Sequence, residues 1–242
     1  MLYMLGFKQK EDVRDIDYIV RMGAVQDTVK YWDDDIWFGN QGQSSMCVGF
    51  SWRHWLIDGP ILQTNPDLIN AGQIYYRAKK VDEWAGENYN GTSIRGGAKV
   101  LKTLGYISTY SWATTIEQVI NVLLSQGPLV VGTSWMTNMY KPNKEGIINI
   151  SGMDSGGHAY VLNGIDTDKG LIRIKNSWGQ QWGQSGRAYI DINDFYKLLT
   201  KGGYACIANE KNTALLPEPI LPPTPKPKPK GRTRPRRRNK DR

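Results

Sequence analysis

The sequence predicts an α+β fold, helical in its first half and stranded in its second. Apolar residues recur at helical spacing up to Ser125. After Pro128 they give way to short apolar or alternating runs bounded by Gly, Asp and Asn. Helices first and strands afterwards argue for two segregated lobes with a cleft between them, a natural place for chemistry. A composition break bounds this body, because eight of the chain's twelve prolines lie beyond Asn212. Proline fixes φ and lacks an N–H, so residues 213–242 read as an extended or disordered Pro/Lys/Arg-rich tail behind a folded body of 1–212.

Within the body, 46–58 (MCVGFSWRHWLID) has helical apolar spacing after a polar, Gly- and Ser-containing loop. Residues 71–84 and 93–104 are further helix candidates. In 115–125, Ile116, Val119, Ile120 and Leu123 follow the i, i+3, i+4, i+7 pattern, and Gly127-Pro128 stops it. Strands are expected over 128–133, 157–165, 171–175 and 187–192. The two lobes then divide at about 15–112 and 113–212.

The 242 residues, 40% apolar and 22% charged, suffice for one globular unit or two small lobes sharing a core. No run approaches the roughly 18 apolar residues that span a bilayer, so no membrane partner is expected. The N-terminus lacks a basic start, a sustained apolar stretch and a small-residue cleavage site, so no secretory signal is read there. Only Cys47 and Cys206 are present, too few for a disulfide framework, which favours a reducing compartment. The formal charge of +8 is uneven: 226–242 holds ten basic residues against Asp241, leaving the remainder near −1.

A thiol attacks as its thiolate, which needs an imidazolium, a helix N-terminus, or both. Cys206 reads as a small buried apolar residue. Cys47 starts a predicted helix, where the dipole favours negative charge. Of the two histidines, His54 lies seven residues on along the same helix, about 10 Å away, far beyond the reach of a base. His158 opens a strand of the second lobe and is the base by elimination. Asn176 ends the next strand, LIRIKN; taken alone it reads as a turn residue, but there it could orient the imidazole without removing its charge.

The motif Gln41-Gly42-Gln43-Ser44-Ser45-Met46-Cys47, then Gly157-His158-Ala159, then Lys175-Asn176-Ser177-Trp178-Gly179 with Trp182-Gly183, resembles the papain family of cysteine peptidases. The resemblance spans about 15–210. It implies a papain-like two-lobe fold, with a mainly helical N-terminal lobe and a β-barrel-like C-terminal lobe flanking the active site. It implies Cys47 as nucleophile, His158 as base and then acid, Asn176 as orienting residue, and Gln41 with the Cys47 N–H as oxyanion donors. Trp178 would cover the Asn–His contact. Gly91 would pair with an extended substrate. Thr92, Ser93, Ile94 and Gly132 would line the pocket for the side chain two positions before the cut, with Gly157 beside the base. No metal and no organic cofactor are implied.

Departures from the family pattern suggest a compact, disulfide-free microbial or phage-type member, cytoplasmic or virion-associated. Ser44 stands where the family has a second cysteine, and Val48 where it has an aromatic residue. The Cys47-to-His158 interval is 111 residues, so inter-lobe loops are expected to be trimmed. Only 46 residues precede Cys47, so the sequence leads us to expect no full-length pro-region, with restraint by location, partner or substrate access. The basic run 226–242 could bind nucleic acid or another polyanion, or merely solvate the chain. Two other functions stand beside proteolysis of peptides or proteins: a non-catalytic structural or assembly protein retaining the fold, and a thiol acyl transferase or amidase.

Overall fold

The structure, a computed structural model, describes residues 3–32, 37–61 and 69–210. The Pro/Lys/Arg-rich tail therefore lies outside the described residues.

Helix α1 (Cys47–Asp58) buries ten of its twelve residues and runs through the middle of the molecule. Helix α2 (Ala71–Ala78) begins on a capping box between Asn70 and Gln73. It stops short of the expected residue 84, because the chain turns so that Asp82 can accept the hydroxyls of Tyr89 and Thr92, each at 2.6 Å. Helix α3 (Ile94–Thr103) is capped by Ser93, and α4 (Ile116–Ser125) by the Thr115–Gln118 box. Gly97 lets α3 approach α1: a Cβ there would stand 2.2 Å from the Trp52 ring. Helix α5 (Ile192–Thr200), which the sequence pattern did not reveal, starts on the Asp191 side chain. No helix among the described residues is long and apolar enough to cross a membrane.

The strands are β1 (Val29–Tyr31), β2 (Ile107–Trp112), β3 (Leu129–Met136), β4 (Asp154–Asp166), β5 (Leu171–Lys175), β6 (Arg187–Asp191) and β7 (Tyr204–Glu210). They form one antiparallel sheet in the order β2-β7-β3-β4-β5-β6, with β1 added to β4. The sheet is open, since β2 and β6 do not pair among the described residues. The barrel-like lobe expected from the sequence is thus better described as an open twisted sheet. Strand β2 comes from the first half of the chain, where only helices were anticipated.

Period-two alternation divides the sheet between two cores. Val130, Ala159, Val161, Cys206 and Ala208 pack with α1 and α3. Leu129, Val131, Tyr160, Leu162 and Ile207 face the other way, onto α4 and α5. Each fully buried Val or Leu contributes about 1.5–3 kcal/mol. Where α1 ends against the sheet, Asp58 meets Lys175 of β5 with both side chains fully buried, and Asn163 Nδ2 donates to the same carboxylate at 2.8 Å. This pair locks the helix that carries Cys47 to the strand that leads into Asn176.

Candidate active site

Cys47 is the first residue of α1, so its sulfur sits at the helix N-terminus, and the side chain is fully buried. The sulfur lies in reach of the N–H groups of Ala159 and Gly6. Burial pushes the thiol up to about 11 from 9.0, and those N–H groups only partly oppose it.

His158 stands in β4, paired with Thr133 of β3. Its Nε2 is 2.8 Å from Asn176 Oδ1. The Ser177 N–H donates to the same oxygen at 2.8 Å, which fixes the amide's orientation. An amide oxygen only accepts, so Nε2 carries the proton and Nδ1 keeps its lone pair. Nδ1 is buried with no hydrogen-bond partner among the described residues. Burial lowers the ring to about 4 from 6.5, although the Asn176 contact works the other way. As it stands, then, the site holds a neutral thiol and a neutral imidazole.

Trp178 is 1% exposed and stacks on His158 with centroids 4.8 Å apart and planes 25° apart. Trp135, which the sequence reading did not single out, closes a second side edge-on, also at 4.8 Å. Gln41 joins the site through its main chain, whose N–H donates to Ser177 O at 2.8 Å, and through its side-chain oxygen, which accepts from the Ser177 hydroxyl. Its Nε2 donates to Ser44 O at 2.7 Å and to Met4 O at 2.9 Å. His54 is also buried, but it is turned away to accept the Gly39 N–H at 3.1 Å. Cys206 is a buried free thiol on β7.

The cleft is occupied by the chain's own N-terminal residues. Thr92 N–H donates to Gly6 O, Lys8 N–H to Thr92 O, and Phe7 N–H to Gly157 O, each at 3.0 Å. The first two bonds flank Phe7 and make a parallel bridge with Thr92. Phe7 places its ring over Gly132, where a Cβ would stand 2.6 Å from it, and a Cβ on Gly157 would meet Phe7 O at 2.3 Å. Tyr3 stacks on Trp178 with centroids 4.4 Å apart. Of the pocket residues suggested by the sequence, Gly132, Gly157, Thr92 and Gly91 therefore touch this segment, a Cβ on Gly91 meeting Gly6 O at 2.3 Å. Gly91 has φ +85°, and its N–H turns inward to Tyr75 Oη at 3.1 Å, so the pairing falls to the next residue. Ser93 and Ile94 border a small cavity beside Phe7 and Lys8, and both also serve α3, Ser93 as its cap and Ile94 as its first turn in the core. Nothing in residues 3–8 announced this role, because the partners lie from 37 to 175 positions away.

A model described as papain family cysteine protease matches residues 64–209, a stretch that holds His158 and Asn176 and begins after Cys47. Over 99 residues, 40% of this chain, the sequence is 27% identical to gamete and mating-type specific protein A of Dictyostelium discoideum, and the match takes in 22% of that protein. Among solved structures, xylellain, a cysteine protease from Xylella fastidiosa, aligns over 86% of this chain and 96% of its own at a TM-score of 0.73 and 19% identity. Digestive procathepsin L2 from the larval midgut of Tenebrio molitor aligns over 86% and 78%, with a TM-score of 0.63 and 15% identity. Bromelain from Ananas comosus, solved in complex with E64, aligns over 77% and 100%, with a TM-score of 0.53 and 14% identity. At these identities the structural matches speak for the fold.

Proposed function

The chain belongs to the papain family of cysteine proteases, and from that premise we propose that it hydrolyses peptide bonds through Cys47, His158, Asn176 and Gln41. The observation that carries the assignment is the 2.8 Å contact of His158 Nε2 with Asn176 Oδ1, which leaves Nδ1 as the free base in the strand whose next N–H, that of Ala159, reaches the Cys47 sulfur.

In this reading His158 Nδ1 takes the thiol proton and the Cys47 sulfur attacks the carbonyl carbon. The oxyanion is held by Gln41 Nε2 and the Cys47 N–H. The imidazolium then protonates the departing amine, leaving a thioester. Water, deprotonated by the same ring, releases the acid and restores the thiol. Trp178 and Trp135 keep solvent from the His158–Asn176 contact.

Residues 3–8 restrain the enzyme by blocking substrate access. Their parallel pairing brings the Gly6 N–H to the sulfur, so the segment occupies the cleft without offering a bond to cut. The test is labelling of Cys47 by an epoxysuccinyl thiol trap, with Cys47→Ala as control, beside a fluorogenic peptide library. Absence of both Cys47 labelling and peptide cleavage, in the native protein and in Phe7→Ala alike, would end the peptidase reading.

The basic run 226–242 supports a further role in holding nucleic acid or another polyanion, with an affinity that falls as salt rises. Deletion of the tail should then abolish retention at low salt, and unchanged retention would refute the role. Two free thiols support a reducing location, cytoplasmic or virion-associated.

A further inference from the structure

Beside the Phe7 pocket, the ammonium of Lys8 lies 4.1 Å from the ring centroid of Trp84 and 4.0 Å from that of Tyr89. The two rings meet edge to face, 6.2 Å apart at 62°. Both distances fall well inside the roughly 6 Å at which a ring face attracts a cation. Lys8 makes no ion pair among the described residues, so the rings themselves provide the contact.

This cage is built into the cleft and does not depend on Lys8 for its shape. Asp82 accepts the Tyr89 hydroxyl at 2.6 Å, the Trp84 N–H at 3.3 Å and, on its other oxygen, the Thr92 hydroxyl at 2.6 Å. One carboxylate thus ties the Tyr89 ring and the Trp84 main chain to the residue whose backbone pairs with whatever lies in the cleft. Lys79 donates to the Tyr89 main-chain O and places a second ammonium 4.6 Å from the Tyr89 centroid, and burial together with the Asp82 contact keeps the phenol protonated.

Direction decides which substrate residue would enter. Going from the sulfur outward, the cleft segment runs Gly6, Phe7, Lys8 and pairs parallel to Thr92. A peptide running the opposite way can use the same Thr92 N–H and C=O in an antiparallel pair. Its side chain in the Phe7 pocket is then followed, toward its own N-terminus, by the one over the cage, about 3.3 Å further on. We infer that Trp84 and Tyr89 form a cation-binding subsite that takes the Lys or Arg side chain of a substrate, one residue before the side chain that fills the Phe7 pocket. This rests on the peptidase reading, and Lys8 occupies the subsite while the cleft is closed.

The test uses the full chain and quenched peptides identical except at that position, which carries Lys, Arg, norleucine or Glu ahead of a Phe. Comparison is made within each protein, so any release of the N-terminal segment cancels. The native chain should favour Lys and Arg over norleucine by about tenfold in kcat/KM, with Glu poorest, and Trp84→Leu should bring the Lys-to-norleucine ratio near one. Equal rates for Lys and norleucine, or a preference that survives Trp84→Leu, would overturn the subsite. Independently of turnover, hydrogen exchange at the Phe7 and Lys8 amides should quicken about tenfold in Lys8→Met and stay unchanged in Lys8→Arg. Equal exchange in both variants would overturn the cage as a cation site. Cleavage of no peptide by the native chain and by Phe7→Ala alike, with exchange behaving as expected, would instead sink the peptidase reading.

Discussion

The side-chain amide of Gln41 donates to the carbonyl of Met4 at 2.9 Å, so the donor assigned to the oxyanion is already engaged by the chain's own N-terminus. In the proposed mechanism Gln41 thus serves turnover and closure at once, and Gln41→Ala should separate them. We expect kcat to fall about 10²–10³-fold from loss of an oxyanion donor, while trapping of Cys47 by an epoxysuccinyl reagent becomes no slower. Parallel loss of both would mean that Gln41 acts only by holding the fold.

Phe7 anchors the same segment through its ring over Gly132. Removing the ring forfeits about 1.5–3 kcal/mol of apolar burial, equivalent to roughly a 10–100-fold gain in the open population. Phe7→Ala should accelerate trapping of Cys47 by that factor. Trapping at the native rate would show that the segment does not gate the thiol.

Stability should peak between about pH 6.5 and 9. The His158 ring is held down to about 4 from 6.5, so between those values the unfolded chain binds a proton the folded chain refuses, and stability falls as pH drops. Buried His54 is lowered too and adds to this limb. Cys47 is raised to about 11 from 9.0, so the unfolded thiol ionises first and stability falls again as pH climbs through that window. Urea midpoints measured across pH should show both limbs, with His158→Gln removing about 1–3 kcal/mol of the acid loss. An acid limb identical in His158→Gln would refute the buried neutral imidazole.

Asn176 accepts from Nε2 and so selects the tautomer that leaves Nδ1 free. Asn176→Ala should lower kcat about 10–100-fold with little change in KM, the cost of one charge-assisted contact in the transition state. A change confined to KM would assign the residue to binding instead.

The Asp58–Lys175 pair is fully buried. Lys175→Met alone takes the ammonium away from a buried carboxylate and should cost about 3–5 kcal/mol in urea unfolding. Combining it with Asp58→Leu should recover part of that loss. Strict additivity of the two changes would show that the residues are not coupled.

Much of the site was legible because its chemistry is written in short local strings. Cys47 was marked by its place at the head of a run with helical apolar spacing. His158 was selected because His54, on the same helix, could not reach the sulfur. Asn176 stood out within KNSWG. That same string contained Ser177, which was passed over although its N–H and hydroxyl hold Asn176 and Gln41 in place. Helices with caps and clear periodicity were equally readable, as with Ile116–Ser125 behind the Thr115–Gln118 box.

Strands β1, β2 and β7 were not readable, because their order comes from distant partners. Trp112 pairs with Cys206 and Val29 with Asp166, and a polar, irregular stretch becomes a strand only when such a neighbour is present. Trp135 was unremarkable until β3 placed it edge-on to His158.

By itself the sequence determined which residues are the candidates for nucleophile, base and orienting amide and in what order they come, since these depend on residue type and local spacing. Only the tertiary structure decided what state those groups are in. It laid residues 3–8 over Cys47, engaged Gln41 with Met4, and seated Lys8 between Trp84 and Tyr89. The physical reason is that backbone pairing and burial carry no local signature: Gly6 and Phe7 meet Thr92 and Gly157 through main-chain atoms that every residue possesses. The desolvation that keeps the Cys47 thiol and the His158 ring neutral exists only once those surfaces close.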